Sequence, residues 1–258
     1  MKMALTTLVL FGGIVSFSSC SKTDYTEPTI TSLAKVNRDH KKNRIAAKCV
    51  DIDGNEYKTI KIGNQVWMAE NLRVTRYRNG QPIANVSSTA DWASLAEKTD
   101  KAAWCFYGNN AKNESIYGKL YNFYAAKDSR NIAPQGWHVP TNEEWIQLGD
   151  YLRGVATAAG KLKATGTTQW AAPNTGATNS SGFTALPAGE RLADGTFGGL
   201  KLRTHYWSTD LYGGDPFTQY SLAVSLFYNQ QLLYNSADGS FNGLNALAAL
   251  SVRCVKDN

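Results

Sequence analysis

The stretch Gly136–Leu152, GWHVPTNEEWIQLGDYL, holds the clearest helix start in the chain. Thr141 can cap a helix through its hydroxyl, and Glu144, three residues on, can reach back to the cap's own N–H, which makes a capping box. Pro140 and Trp145 stand where a hydrophobic staple would form. Trp145, Leu148 and Leu152 recur at helical spacing and predict a helix over about Asn142–Arg153 with one apolar face. His138 beside Glu143 and Glu144 raises the question of acid–base or metal chemistry. The cap accounts for Glu144, however, and a zinc site needs three or four ligands at consistent spacing. A packed or hydrogen-bonded His138 is the expectation.

Working upstream, Val50–Ile52 and Tyr57–Ile62 alternate apolar and polar residues around Asp53-Gly54, a dipeptide suited to a tight hairpin because both turn positions take positive φ. Gly63-Asn64 joins the second strand to Gln65–Met68, predicting a three-stranded meander. Asp51, Asp53 and Asn55 look like half of a calcium loop, but the distal bidentate glutamate is missing, so the hairpin reading is preferred. Ser88 or Thr89 can cap a short helix through Trp92 and Leu95, and Trp104–Tyr107 reads as a buried strand. In Tyr117–Ala126, Leu120, Phe123 and Tyr124 fall on one helical side, a stripe read as core packing.

Downstream, Gly154–Lys163 reads as a shorter second helix, and Ala164–Ser181, rich in Thr, Gly, Asn and Pro, as a long loop of the kind that often carries function. Phe183–Pro187, Phe197–Leu202, His205–Ser208, Ser221–Tyr228, Leu232–Tyr234 and Leu250–Val255 are predicted strands. These elements predict a single α+β domain with a mixed, mostly antiparallel sheet, two to three helices and long loops.

The first residues are different in kind. Residues 1–19 read as a secretory leader, Lys2 preceding an apolar run from Met3 to Phe17 that is too short for a comfortable membrane span. Phe17-Ser18-Ser19-Cys20 resembles the lipobox of bacterial lipoproteins, which implies cleavage before Cys20 and acylation of that residue. Residues 20–46 read as the lipidated cysteine and a polar tether, and residues 47–258 as the folded domain. The net charge of +6 is concentrated early: Lys2 carries one charge and the stretch from Ser21 to Arg44 an excess of three. About +2 is left for the rest, too little for a phosphate-binding face, so no nucleic-acid partner is expected.

Taken in order, Asp51–Leu72 (DIDGNEYKTIKIGNQVWMAENL), Tyr117–Asn122, the GWHVPTNEEW run, Leu162-Lys163, Gly182–Gly189 (GFTALPAG), Tyr206–Ser208 and Ser251–Asp257 (SVRCVKD) resemble the Fibrobacter succinogenes major paralogous domain. That family is similar in turn to C-type-lectin-like folds and to formylglycine-generating enzymes, and it occurs mainly in secreted proteins and lipoproteins of Bacteroidetes-type bacteria. The resemblance implies a lectin-like domain whose terminal strands pair and whose long irregular loop carries ligands. Ala133 stands where many members have a cysteine, and Ala249-Leu250 where most have glycine and an aromatic residue. The preceding Gly243–Ala248 is unusually apolar and reads as an insertion or an altered last loop.

Cys49, Cys105 and Cys254 remain once Cys20 is set aside, and an exported compartment permits disulfides. All three pairings and no bridge are open. Cys254 lies in the most family-like motif, which favours a pair that includes it, with Cys105 as candidate partner. No nucleophile elbow, phosphate loop or dinucleotide fingerprint is present, and no cofactor or metal is expected. On the lectin-like analogy, Trp170 and Tyr212 are candidate aromatic platforms, with Asn174, Asp210 and Asp215 as polar contacts, in a site between residues 164–181 and 209–219. The expected function is a cell-envelope lipoprotein, anchored in the outer membrane of a Gram-negative bacterium, that binds an extracellular glycan or surface protein. The alternatives are an envelope assembly component, or an oxidase or hydrolase related to formylglycine-generating enzymes.

Overall fold

A computed structural model describes residues 45–98, 101–211, 220–236 and 243–257. The leader, Cys20 and all but the last two residues of the expected tether lie outside them. The chain opens with an antiparallel meander of β1 (Ile45–Val50), β2 (Glu56–Ile62) and β3 (Gln65–Met68). Asp51 folds the first turn by accepting from the N–H groups of Asp53 and Asn55, each at 2.9 Å, and from the Tyr57 hydroxyl at 2.6 Å. Asp53 in turn accepts from Thr75 and Arg76. Both carboxylates are therefore engaged in fixing a hairpin, as expected.

The chain continues through β4 (Ala84–Asn85), α1 (Thr89–Ala93), β5 (Ala103–Cys105), α2 (Glu114–Tyr117), β6 (Leu120–Asn122), α3 (Phe123–Ala126) and β7 (Trp137–His138). The continuous helical stripe expected over Tyr117–Ala126 is not formed. Gly118, at φ 73° and ψ −157°, ends α2, a strand follows, and Asn122 starts α3 by accepting from Ala125 N–H at 3.1 Å. Aromatic spacing fitted a helix, but strand pairing to β5 decided the conformation.

Next come α4 (Asn142–Tyr151) and α5 (Val155–Leu162). The capping box of α4 is complete: Glu144 N–H donates to Thr141 Oγ1 at 3.3 Å, and Thr141 N–H donates to Glu144 Oε2 at 2.8 Å. The expected long loop after α5 is present. Phe183–Pro187 is not the predicted strand; only Ala185 bridges, to Lys163, and the strand β8 (Ala188–Arg191) begins just beyond. Then follow β9 (Phe197–Leu200), β10 (Arg203–Leu211), β11 (Tyr220–Phe227), β12 (Tyr234–Asn235), β13 (Leu244–Asn245), β14 (Ala249–Leu250) and β15 (Val255–Lys256). The single final strand expected over Leu250–Val255 is thus two, and they belong to different sheets.

One sheet has the order β1-β2-β3-β15-β7, and the other runs β12-β11-β10-β8-β14-β6-β5-β4, with β9 and β13 attached at its sides. Pairing is antiparallel except for β10 with β8 and β4 with β5. This is the mixed α+β domain predicted. The meander separates two hydrophobic clusters: Tyr57 and Met68 enter one with Phe123, Trp207 and Cys254, while Ile60, Ile62 and Trp67 enter the other with Trp145, Trp170, Phe183 and Tyr206. The indole N–H groups also tie distant backbone together. Those of Trp92, Trp104, Trp145, Trp170 and Trp207 donate to the carbonyls of Leu247, Ile83, Trp207, Ala185 and Tyr121. The apolar Gly243–Ala248 segment is core: Ala246, Leu247 and Ala248 are buried, and Leu247 receives the Trp92 bond.

A candidate functional site around Arg253

Four of the seven motif segments, those holding Asn71, Gly118, Gly182 and Arg253, meet at a cleft of about 510 Å³, within the size range of small-ligand sites. Its walls are Lys58–Ile60 of β2, Ala69–Arg73, Glu114–Ile116 of α2, and the Gly182–Leu186 loop, with Arg253 also lining it. Two glycines shape it. A Cβ on Gly118 would stand 2.8 Å from Asn71 Cβ, and one on Gly182 would stand 3.2 Å from the Ile60 side chain.

Arg253, between β14 and β15, is 1 % exposed. Its Nε–H donates to Asn71 Oδ1 at 2.8 Å, one Nη1–H to Phe183 O, and one Nη2–H to Thr184 O at 2.9 Å. The guanidinium lies 4.2 Å over the Phe183 ring. Burial pulls its pKa below the usual arginine value, with Tyr206 and Glu70 acting in the opposite sense. Lys58, Arg73, Arg253, Glu70 and Glu114 are the charged residues of the lining, and Glu114 is already paired with Lys119 Nζ.

Two further buried cations help to define Arg253 by contrast. Lys163 Nζ donates to the carbonyls of Thr175, Phe227 and Gln230 at 3.0, 2.9 and 2.7 Å, and burial pushes it down to about 8. Arg191 donates to the carbonyls of Gly195, Val86, Ser87 and Ser88 and also bonds the Cys105 thiol. Both are loop fasteners with their donors engaged.

Of the residues expected to bind, Trp170, Asn174 and Asp210 are among the described residues and are engaged within the fold. Trp170 is fully buried, its Nε1–H donating to Ala185 O at 2.9 Å with Lys163 Nζ 5.4 Å above the ring, so it is a core residue and not a platform. Asn174 is buried, its Nδ2 donating to Ala164 O and Gly166 O. Asp210 accepts from Asn142 N–H and Ser208 Oγ–H, fastening β10 to the start of α4. Tyr212 and Asp215 lie outside the described residues. Among the described residues the most exposed large hydrophobic residue is Tyr151, 63 % accessible, which packs against Gly63 beside a 340 Å³ hollow with Asn64, Gln147 and Asp150.

Two constellations resemble catalytic ones. His205 Nδ1 lies 2.6 Å from Ser225 Oγ and its Nε2 lies 3.5 Å from Glu190 Oε2. Ser225 is fully buried and His205 nearly so, and unlike Arg253 neither lines the cleft. Burial would raise the Glu190 carboxyl, but His205 and Arg203 outweigh it and hold it at about 2. His138 bridges two carboxylates, Nδ1 to Asp257 Oδ1 at 2.6 Å and Nε2 to Glu144 Oε1 at 2.8 Å. Glu144 thereby serves the helix cap and the histidine together. This clamps the end of the chain to α4, the hydrogen-bonded role expected of His138.

Cys49, Cys105 and Cys254 are free, buried thiols. Cys105 packs with Trp92 and Leu120 while Cys254 packs with Met68 and Val252, in separate clusters, so the Cys105–Cys254 pair is not formed. Burial pushes Cys49 and Cys105 up to about 12. Reasoning from the sequence missed Arg253 and its surroundings. The available signal was a cation set between apolar residues in SVRCV, a position that demands compensating acceptors.

No curated protein and no solved structure matches this chain. The family model of the Fibrobacter succinogenes major domain matches residues 60–256, a span running from within β2 to β15 that takes in the Arg253 cleft except Lys58 and Thr59. The chain belongs to the Fibrobacter succinogenes major domain family.

Proposed function

We propose that the protein is a cell-envelope lipoprotein, held through acylated Cys20 in the outer membrane of a Gram-negative bacterium, whose lectin-like domain binds an extracellular glycan or protein at the Arg253 cleft. The observation that carries the binding role is a buried guanidinium beneath an open cleft. A purely structural arginine has no need of the opening. The anchoring role rests on the lipobox-like Phe17–Cys20 and the polar segment after it.

Full-length protein on a glycan array and as bait against extracellular extracts tests the binding role. A retained ligand should be lost when Ser115, exposed on the cleft wall, is changed to Trp. Absence of any ligand in both formats, or one indifferent to Ser115→Trp, sinks it. For the anchor, Cys20→Ser should move the protein from the membrane fraction to the soluble one, and wild-type protein found soluble would count against it.

A further inference from the structure

We infer that the cleft takes a carboxylate-bearing saccharide, its acid group seated on Arg253 and drawn in by Lys58 and Arg73. This rests on the reading that the cleft binds a ligand and names the chemistry of that ligand. Arg253 carries five N–H donors in a planar fork, and the bonds to Asn71, Phe183 and Thr184 engage three of them. All three acceptors are neutral. The other three buried lysines and arginines differ: Lys119 bonds Arg73 O and the Glu114 carboxylate, Lys163 has three donors on three carbonyls, and Arg191 meets four carbonyls and a thiol. Of the four, Arg253 is the one that lines the cleft, and a guanidinium with N–H groups to spare can take a carboxylate.

The charge around it has the same sense. With Glu114 neutralised by Lys119, Lys58, Arg73 and Arg253 stand against Glu70, leaving a positive excess. The walls name the rest of the ligand. No aromatic ring lines the cleft, so a neutral sugar would lack its usual stacking face, and an acid group must supply the grip. The exposed Ser115 offers a hydroxyl to a polyhydroxylated body, whereas the Thr184 hydroxyl is held by Asn179 and Gly182. An extended acidic peptide fits less well, because the wall strand β2 is paired on both sides, to β1 and β3, and has no free edge to extend.

The test is calorimetric titration of the full-length protein with oligomers of galacturonate, glucuronate and N-acetylneuraminate, with their methyl esters, and with hexaglutamate. At least one acid saccharide should bind ten-fold or more tighter than its ester. Lys58→Gln combined with Arg73→Gln should weaken it at least ten-fold, read well below the variant's own thermal midpoint because Arg73 also donates to Glu56 O and lies over the Tyr57 ring. Ser115→Trp should abolish binding, and Tyr151→Ala, outside the cleft, should not change it. Equal affinity for acid and ester, indifference to the charge variants, tighter binding of hexaglutamate, or no binding by any acid saccharide overturns the inference. An ester or neutral glycan that binds and is lost in Ser115→Trp would leave the wider binding role standing while this one falls.

Discussion

The Thr184 carbonyl accepts from Arg253 Nη2 at 2.9 Å while Thr184 itself sits at φ 57°, in the left-handed region. That region is unfavourable for a β-branched residue, at a cost of about 1–3 kcal/mol. The conformation is held by Asn179, whose Oδ1 accepts from Thr184 N–H at 2.9 Å and whose Nδ2 donates to Thr184 Oγ1 at 3.0 Å. The consequence is geometric. In an extended strand successive carbonyls point to opposite sides, whereas here Phe183 O and Thr184 O both reach one guanidinium. The strand expected at Phe183–Pro187 gives way so that both carbonyls can reach Arg253.

Arg253 should therefore be a stability hub as well as a ligand contact. Arg253→Met leaves Phe183 O, Thr184 O and Asn71 Oδ1 without a donor, and each buried orphan costs about 1–3 kcal/mol. A loss of about 3 kcal/mol or more in urea unfolding is expected. Arg253→Lys, with its charge kept but no planar fork, should fall between. An Arg253→Met protein within 1 kcal/mol of wild type would show that these bonds contribute little.

Gly118 should tolerate no side chain. Its φ of 73° with ψ of −157° is essentially a glycine conformation, and a Cβ would meet Asn71 Cβ at 2.8 Å. Gly118→Ala should cost about 3 kcal/mol and distort the cleft wall. Gly80→Ala is the control: φ is also positive, at 87°, but nothing lies within 4 Å of the added carbon, so only the conformational cost, about 1 kcal/mol, remains. Comparison of the two denaturation midpoints separates clash from strain.

These contrasts mark how far the fold could be read in advance. The α4 cap and the first hairpin were legible because their determinants lie within a few residues, Thr141 with Glu144 and Asp51 with Tyr57. The split of Leu250–Val255 was not, because β14 pairs with Asn122 and Tyr121 while β15 pairs with Trp67 and His138. Arg253 was hidden for the same reason: its acceptors lie 69, 70 and 182 residues away. Trp170 was misjudged because a loop-like composition says nothing of burial, and Lys163 and Ala185 draw that loop into the core.

The thiols give a chemical test. Cys49, Cys105 and Cys254 are buried and pushed above their ordinary range, so little thiolate exists at neutral pH and alkylation of native protein should be slow. After denaturation without reductant, peptide mapping should find all three alkylated. A Cys105–Cys254 bridge would leave only Cys49 modified.

The final prediction concerns pH. Burial alone would lower His138, but its bonds to Asp257 and Glu144 outweigh this and raise its pKa above the ordinary value near 6.5. The folded protein thus holds the His138 proton more tightly than the unfolded chain. The resulting stabilisation is fully present below about pH 6.5 and is lost as pH rises through the higher folded value. His138 is partly exposed, so the effect should be modest and should shrink with added salt. By NMR, the His138 ring should titrate above 6.5, and Asp257→Asn should lower that midpoint. The thermal midpoint of wild type should fall relative to Asp257→Asn as pH rises through the same interval. A His138 that titrates below 6.5, or an Asp257→Asn protein with an unchanged His138 midpoint, would mean that the clamp from the chain end to α4 is not electrostatic.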